Sequence, residues 1–206
     1  MMLHTDETIR TALTEADPDL GQIIQAMGPL EVRLADDAFT ALADAIVAQQ
    51  LSGKVAEVLW GRLVALAGPR VTPDAIMALS AESLRNIGLS GSKVSYLRSL
   101  AEAVLSGKID PEALPGCSDA DIIDVLVSVK GIGRWTAEMF LIFALGRPDV
   151  FSAGDGGLQR AVARLRGADR PLSRDELLAV SERWRPYRTF ACLYLWRSLA
   201  IPPPNG

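Results

Sequence analysis

Histidine and cysteine are almost missing from this chain: His4 is the sole histidine, and Cys117 and Cys192 are the two cysteines. That inventory excludes a disulfide framework, a Cys/His zinc site and a four-cysteine iron–sulfur cluster. No uninterrupted apolar run approaches the length that spans a bilayer. The opening residues, Met-Met-Leu-His-Thr-Asp-Glu, carry acids where a secretory signal needs an apolar core. The expectation is a soluble, cytoplasmic monomer with no membrane partner.

A basic balance is missing as well. With 21 Lys and Arg against 25 Asp and Glu, the formal net charge is -4, which at first sight argues against a nucleic-acid partner. The charge is unevenly spread. Residues 1–129 hold 9 basic and 18 acidic side chains, and residues 130–206 hold 12 basic and 7 acidic. Local field counts for more than total charge in phosphate binding, and the positive half also carries the motifs described below.

Apolar residues are plentiful, at 49% of 206 residues. That supports a sizeable core in one domain or in two small helical lobes around a shared cleft. The apolar spacing predicts helix after helix and no alternating strand. Helices are expected near 8–16, 19–27, 38–50, 53–67, 73–79, 80–87, 92–106, 118–129, 134–145, 156–165, 173–184 and 186–200. Gly28-Pro29 and Gly68-Pro69 read as stops, and Pro73 suits a first turn. The fold class is therefore all-α: two helical subdomains flanking a cleft. One lobe is placed at about 36–118. The other combines the N-terminal segment with about 119–200, and 201–206 forms a tail.

The most informative stretch is Leu-Val-Ser-Val-Lys-Gly-Ile-Gly-Arg-Trp-Thr-Ala at 126–137. An apolar helix runs into Gly131-Ile132-Gly133 and a second helix starts at once. The glycines allow unusual backbone conformations and close approach of a phosphate. N–H groups at the start of the second helix carry partial positive charge, and Ile132 turns inward to pin the two helices. This is a helix-hairpin-helix phosphate clamp, which grips backbone and does not read sequence. Lys130, Gly131, Ile132, Gly133 and Arg134 are its candidate DNA contacts.

The run 129–136, followed by Asp-Val-Phe-Ser-Ala-Gly-Asp-Gly-Gly-Leu at 149–158, resembles the helix-hairpin-helix DNA glycosylase superfamily. Within it the chain is most similar to the 3-methyladenine DNA glycosylase II group, in a compact form without an N-terminal α/β domain. The likeness runs from about 38 to 196. It takes in Ala-Ile-Val-Ala-Gln-Gln-Leu-Ser at 45–52 and Glu-Arg-Trp-Arg-Pro-Tyr-Arg at 182–188. The resemblance implies a monofunctional enzyme of base excision repair. Such an enzyme hydrolyses the N-glycosidic bond of alkylated purines, of the 3-methyladenine and 7-methylguanine type, in double-stranded DNA. A same-fold glycosylase for another damaged base, and a noncatalytic DNA-binding scaffold, are the alternatives.

The family's essential aspartate matches Asp155. Cleavage of an N-glycosidic bond develops positive charge on the sugar, which a carboxylate in a restricted site stabilises. Asp155 also precedes a helix, so it reads as an N-cap too; the two roles are compatible. Asp149, beside Pro148, reads as a turn residue. Strand-cutting relatives carry a lysine nucleophile where this chain has Trp135, so the resemblance implies no lyase activity. Trp135 and Trp196 match positions lining the base pocket, where an indole face attracts a cationic base. Phe151 and Met139 could complete the wall, and Trp60 and Trp184 read as core.

The target base must leave the stack. The segment 48–52 matches the family's wedge, with Gln50 at the intercalating position and Leu51 as the alternative. Ser90 and Lys93 belong to a degenerate second clamp, Gly-Leu-Ser-Gly-Ser-Lys at 88–93. No cofactor is expected in catalysis. The resemblance implies a structural monovalent or divalent cation on the main-chain carbonyls of Val127, Val129 and Gly131.

Overall fold

The structure is a computed structural model that describes residues 2–68 and 70–200. Pro69, expected to help stop a helix, and the tail 201–206 lie outside the described residues. The chain divides into two compact units. One joins the segment ending at Leu34 to the segment beginning at Gly146; the other is Ala35–Leu145. The division falls after residue 145, not near 118, and this corrects the lobe boundary expected from sequence. The physical reason is packing. The helix that follows the two-glycine turn lies against the helix at 38–48, and Ala35 N–H donates to the Phe143 carbonyl at 3.0 Å.

The discontinuous unit begins with a strand that the apolar pattern did not reveal. β1 (Met2–His4) pairs antiparallel with β2 (Glu31–Arg33), Leu3 opposite Val32. Three residues per strand are too few to print an alternation. Between them lie α1 (Glu7–Ala16) and α2 (Pro18–Met27), N-capped by Asp6 and Asp17. After the excursion into the other unit come helices at Gly156–Leu165, Arg174–Glu182 and Arg188–Ser198. The last of these is buried from Thr189 through Tyr194 to Leu195, as expected of a helix apolar on every side. The Tyr194 hydroxyl donates to the Gly28 carbonyl at 2.9 Å and sits 3.0 Å from the Thr5 hydroxyl.

The continuous unit holds α3 (Ala38–Ala48), α4 (Gly53–Ala67), α5 (Pro73–Ala78), α6 (Ala81–Asn86) and α7 (Gly91–Leu105). A short 3-10 turn at Leu114–Gly116 precedes α8 (Asp119–Val127) and α9 (Arg134–Phe143). The helices at 156–165, 174–182 and 188–198 are then α10, α11 and α12. Phe39, Leu42, Ala43, Ile46 and Val47 give α3 its buried face, and α4, α7 and α9 pack on α3. No described helix is long and apolar enough to cross a membrane.

One buried ion cluster closes the discontinuous unit. The carboxylate of Asp17, 1% exposed, accepts the Trp184 indole N–H at 2.8 Å and pairs with Arg166. Burial alone would raise its carboxyl. Hydrogen bonds from Arg166 and Trp184, with the Arg166 charge, outweigh burial and hold it below its ordinary 3.8. A folded value below the unfolded one stabilises the fold above pH 3.8, and that contribution is lost as pH falls through the lower folded value. Asp17→Asn should therefore cost roughly 3 kcal/mol at neutral pH, because it leaves Arg166 short of its buried anion. Urea unfolding at pH 7 and pH 3 checks this: the gap between wild type and variant narrows in acid.

Candidate active site and nucleic-acid interface

The segment leading to Asp155 is anchored before the carboxylate is reached. Asp149 accepts Arg185 Nη1 at 2.7 Å, Arg188 Nε at 2.7 Å and Arg188 Nη2 at 3.1 Å. The Thr189 hydroxyl donates to the Arg147 carbonyl at 2.6 Å, and Val150 N–H donates to Thr189 Oγ1 at 3.0 Å. Asp149 is thus engaged by arginines, and residues 147–150 are stapled to the start of α12. The same bonds explain the charged run at 182–188.

Asp155 is the N-cap of α10 and is half-buried. Its Oδ1 accepts two N–H groups, from the Leu158 backbone at 2.8 Å and from Trp196 Nε1 at 2.8 Å. Both roles expected of Asp155 are therefore geometrically compatible: it caps a helix and keeps access to solvent. A Cβ at Gly157 would stand 2.9 Å from Asp155 Oδ1 and 3.2 Å from Trp196 Cδ1. The absent side chain there lets the indole reach the carboxylate.

Trp196 touches the carboxylate through its N–H, and its ring stays partly exposed. The structure corrects one expectation. Phe151 does not stand out as a wall; it is buried, its ring centroid 5.8 Å from that of Trp184 at an interplanar angle of 57°. Trp184 is core, as its position in the sequence implied.

In the continuous unit, Lys130 and Gly133 are exposed, and Ile132 is buried between the helices of the turn. The two glycines do different work. Gly131 has φ +94°, and a Cβ there would lie 2.1 Å from the Tyr96 ring, so its missing side chain is a seat for an aromatic. Gly133 has φ -92°, a Cβ there would meet nothing, and as N-cap of α9 it supplies no side-chain cap. The main chain is therefore open to approach at Gly133. Arg134 stays largely exposed while its Nε is held by the buried Glu138 at 2.9 Å. Trp135 is 43% exposed, unusual for so large an apolar group. Met139, one turn further along α9, lines a cavity.

The turn after α3 is tied to this hairpin. Gln49 Nε2 donates to the Gly131 carbonyl at 2.9 Å. Gln50 follows with φ 56°, the only positive φ outside glycine among the described residues. Such a conformation is uncommon outside glycine. Gln50 and Leu51 are both exposed at its tip, so both wedge candidates remain. Sequence reading missed the tether because its partner lies 82 residues away.

The second clamp is only half formed. Ser90 caps α7 through the Lys93 N–H at 3.3 Å, but the Lys93 ammonium donates to the Val47 carbonyl at 2.8 Å, at the end of α3. Burial there lowers the Lys93 pKa. Two of the three carbonyls expected to hold a cation already accept hydrogen bonds, Val129 from Ile132 N–H at 3.1 Å and Gly131 from Gln49. Each keeps one lone pair for a further donor or ion.

A family model described as HhH-GPD superfamily base excision DNA repair protein matches residues 43–186. A Bacillus subtilis relative is 34% identical over 168 residues, which is 78% of this chain and 58% of that protein's length. The chain thus spans little over half of that relative. Among solved structures, a DNA-3-methyladenine glycosidase from Bacillus halodurans superposes with a TM-score of 0.87 at 38% identity, covering 98% of this chain and 93% of the other. The Schizosaccharomyces pombe 3-methyladenine DNA glycosylase in complex with abasic DNA gives 0.87 at 30% identity, covering 97% and 100%.

The two glycines of the turn should separate cleanly in the test tube. Gly131→Ala puts a methyl into Tyr96 on a strained φ, and should lose about 2–4 kcal/mol of stability in urea. Gly133→Ala should unfold within about 0.5 kcal/mol of wild type yet bind a DNA duplex several-fold more weakly by fluorescence anisotropy.

Proposed function

The chain belongs to the HhH-GPD superfamily of base excision DNA repair proteins, and on that premise we propose that it is a monofunctional DNA glycosylase releasing alkylated purines from double-stranded DNA. The observation that carries this is Asp155, a half-buried carboxylate fixed by two N–H donors on one oxygen.

In the proposed reaction the C1′–N bond breaks with its electron pair leaving on the base. Alkylation at N3 or N7 has already made that base cationic, so it departs neutral and needs little acid catalysis, which suits a chain with one histidine at its N-terminus. Positive charge then develops on the deoxyribose, and Asp155 stabilises it. Water adds to C1′ and passes its proton to the Asp155 carboxylate, which returns it to solvent. Trp196 and the Leu158 N–H keep the carboxylate in one orientation throughout, so no reorganisation is needed as charge appears. On α9, the exposed indole of Trp135 offers a face to a cationic base, an attraction worth roughly 0.5–2 kcal/mol. Phosphate approaches the main chain at Gly133, with Lys130 and Arg134 beside it, and Gln50 or Leu51 fills the gap left by the flipped base. The chemical step uses no cofactor. A monovalent or divalent cation on the Val127, Val129 and Gly131 carbonyls would stiffen the turn. The setting of this work is the cytoplasm.

Free bases released from methylated DNA, separated by chromatography, test the proposal. Wild type should release 3-methyladenine and 7-methylguanine, and Asp155→Asn should lose at least 100-fold in single-turnover rate, on the scale of a lost transition-state charge partner. Trp196→Phe, which keeps an aromatic ring but drops the N–H, should lose roughly tenfold. Equal release by wild type and Asp155→Asn would remove Asp155 from the mechanism. Borohydride should trap no enzyme–DNA adduct, because Trp135 supplies no amine.

A further inference from the structure

The turn after α3 spends a left-handed backbone position on a long side chain. Leu51 N–H donates to the Ala48 carbonyl at 3.2 Å, and Gln49 has φ -49° and ψ 130°. With Gln50 at φ 56°, this is the geometry of a type II turn. The third residue of such a turn is glycine by preference, because an L side chain is strained there. Gln50 is exposed, so packing of its own side chain does not hold the conformation. Its neighbours do.

Contacts within the continuous unit join the end of α3, α7 and the two-glycine turn in a closed triangle. Lys93 of α7 donates to the Val47 carbonyl at 2.8 Å, just before the turn. Tyr96, one helical turn further along α7, fills the space beside Gly131. Gln49 closes the third side. Its Nε2 donates to the Gly131 carbonyl at 2.9 Å and, at 3.5 Å, reaches the buried Thr136 hydroxyl. Those two acceptors stand on either side of Gly133, so one amide bridges both flanks of the turn whose main chain is open to approach. We propose that Gln49 is a positioning residue, which sets the wedge turn in register with the two-glycine turn so that Gln50 or Leu51 enters the duplex where the backbone is gripped. The inference rests on the function proposed above and deepens it by naming the group that links gripping the DNA to opening it.

The reason is geometric. Phosphate contacts fix a protein's register on the duplex, and a side chain that fills a vacated base position must stand in a fixed place relative to them. Both turns belong to one compact unit, and the Gln49 amide is the direct bond between them. Removing its N–H leaves the wedge side chains and the phosphate contacts in place but frees one turn from the other. Phosphate attraction supplies the salt-dependent part of affinity that any duplex shares. The loss therefore falls on gap filling, and it appears as weaker preference for a duplex that already has a gap.

Two duplexes of one sequence test this, one intact and one with a tetrahydrofuran abasic analogue beside 2-aminopurine. Affinities are measured by fluorescence anisotropy at a single salt concentration. Wild type should prefer the abasic duplex, and 2-aminopurine emission should change as the wedge enters. Gln49→Met keeps the side-chain length and removes the donor; it should lose roughly three- to tenfold of that preference, the scale of one hydrogen bond. Gln49→Glu has the same shape without the N–H, and should lose as much in the ratio of the two affinities, where its added charge cancels. In whichever of Gln50→Ala and Leu51→Ala has itself lost the preference, adding Gln49→Met should change the ratio no further, because a residue acting through the wedge then has nothing to position. A ratio unchanged by either Gln49 variant, a loss that adds in full to both wedge variants, or a wild type without preference overturns the assignment. If the preference follows Gln49 while wild type releases no base from methylated DNA, the glycosylase function fails and the positioning role stands.

Discussion

A carboxylate that receives two N–H donors on a single oxygen has lost most of its rotational freedom, and the discontinuous unit is organised around that loss at Asp155. The Leu158 N–H comes from the first turn of α10, so the helix itself sets one bond. The Trp196 N–H comes from α12, 41 residues further on. For both to reach one atom, α10 and α12 must pack closely, and Gly157 must carry no side chain. Asp149 with Arg185 and Arg188 fixes the chain entering the site, and Asp17 with Arg166 and Trp184 secures the helices behind it. Polar bonds are here the means of positioning, while the buried length of α12 supplies the cohesion.

The continuous unit solves a different problem, holding an exposed loop rigid. A turn whose N–H groups are to stay available cannot be stabilised by covering them. Here stability comes from the opposite side of the loop. Tyr96 occupies the space left by Gly131, Ile132 is buried between α8 and α9, and Gln49 binds the Gly131 carbonyl. That last bond ties the turn carrying Gln50 to the two-glycine turn. Lys93 adds to it by holding the Val47 carbonyl.

What the chain's order of residues settled by itself is what short-range physics can settle. Helix spacing, proline and glycine stops, and Ser or Asp caps are interactions within four residues, and they placed the helices within a residue or two. The two-glycine turn and the acid before Gly156-Gly157 were legible because they lie in short contiguous motifs, in which Gly131 takes a positive φ and Asp155 caps the helix that follows. Tertiary structure alone decided the rest. The three-residue strands, the unit boundary at Leu145, the inward turn of Lys93, the burial of Phe151 on Trp184 and the Gln49 tether all depend on partners distant in sequence. Trp196 shows the difference most plainly. Its sequence position marks an indole near the site, but whether the ring face or the N–H is presented follows from how α12 packs against α10, which no local pattern encodes.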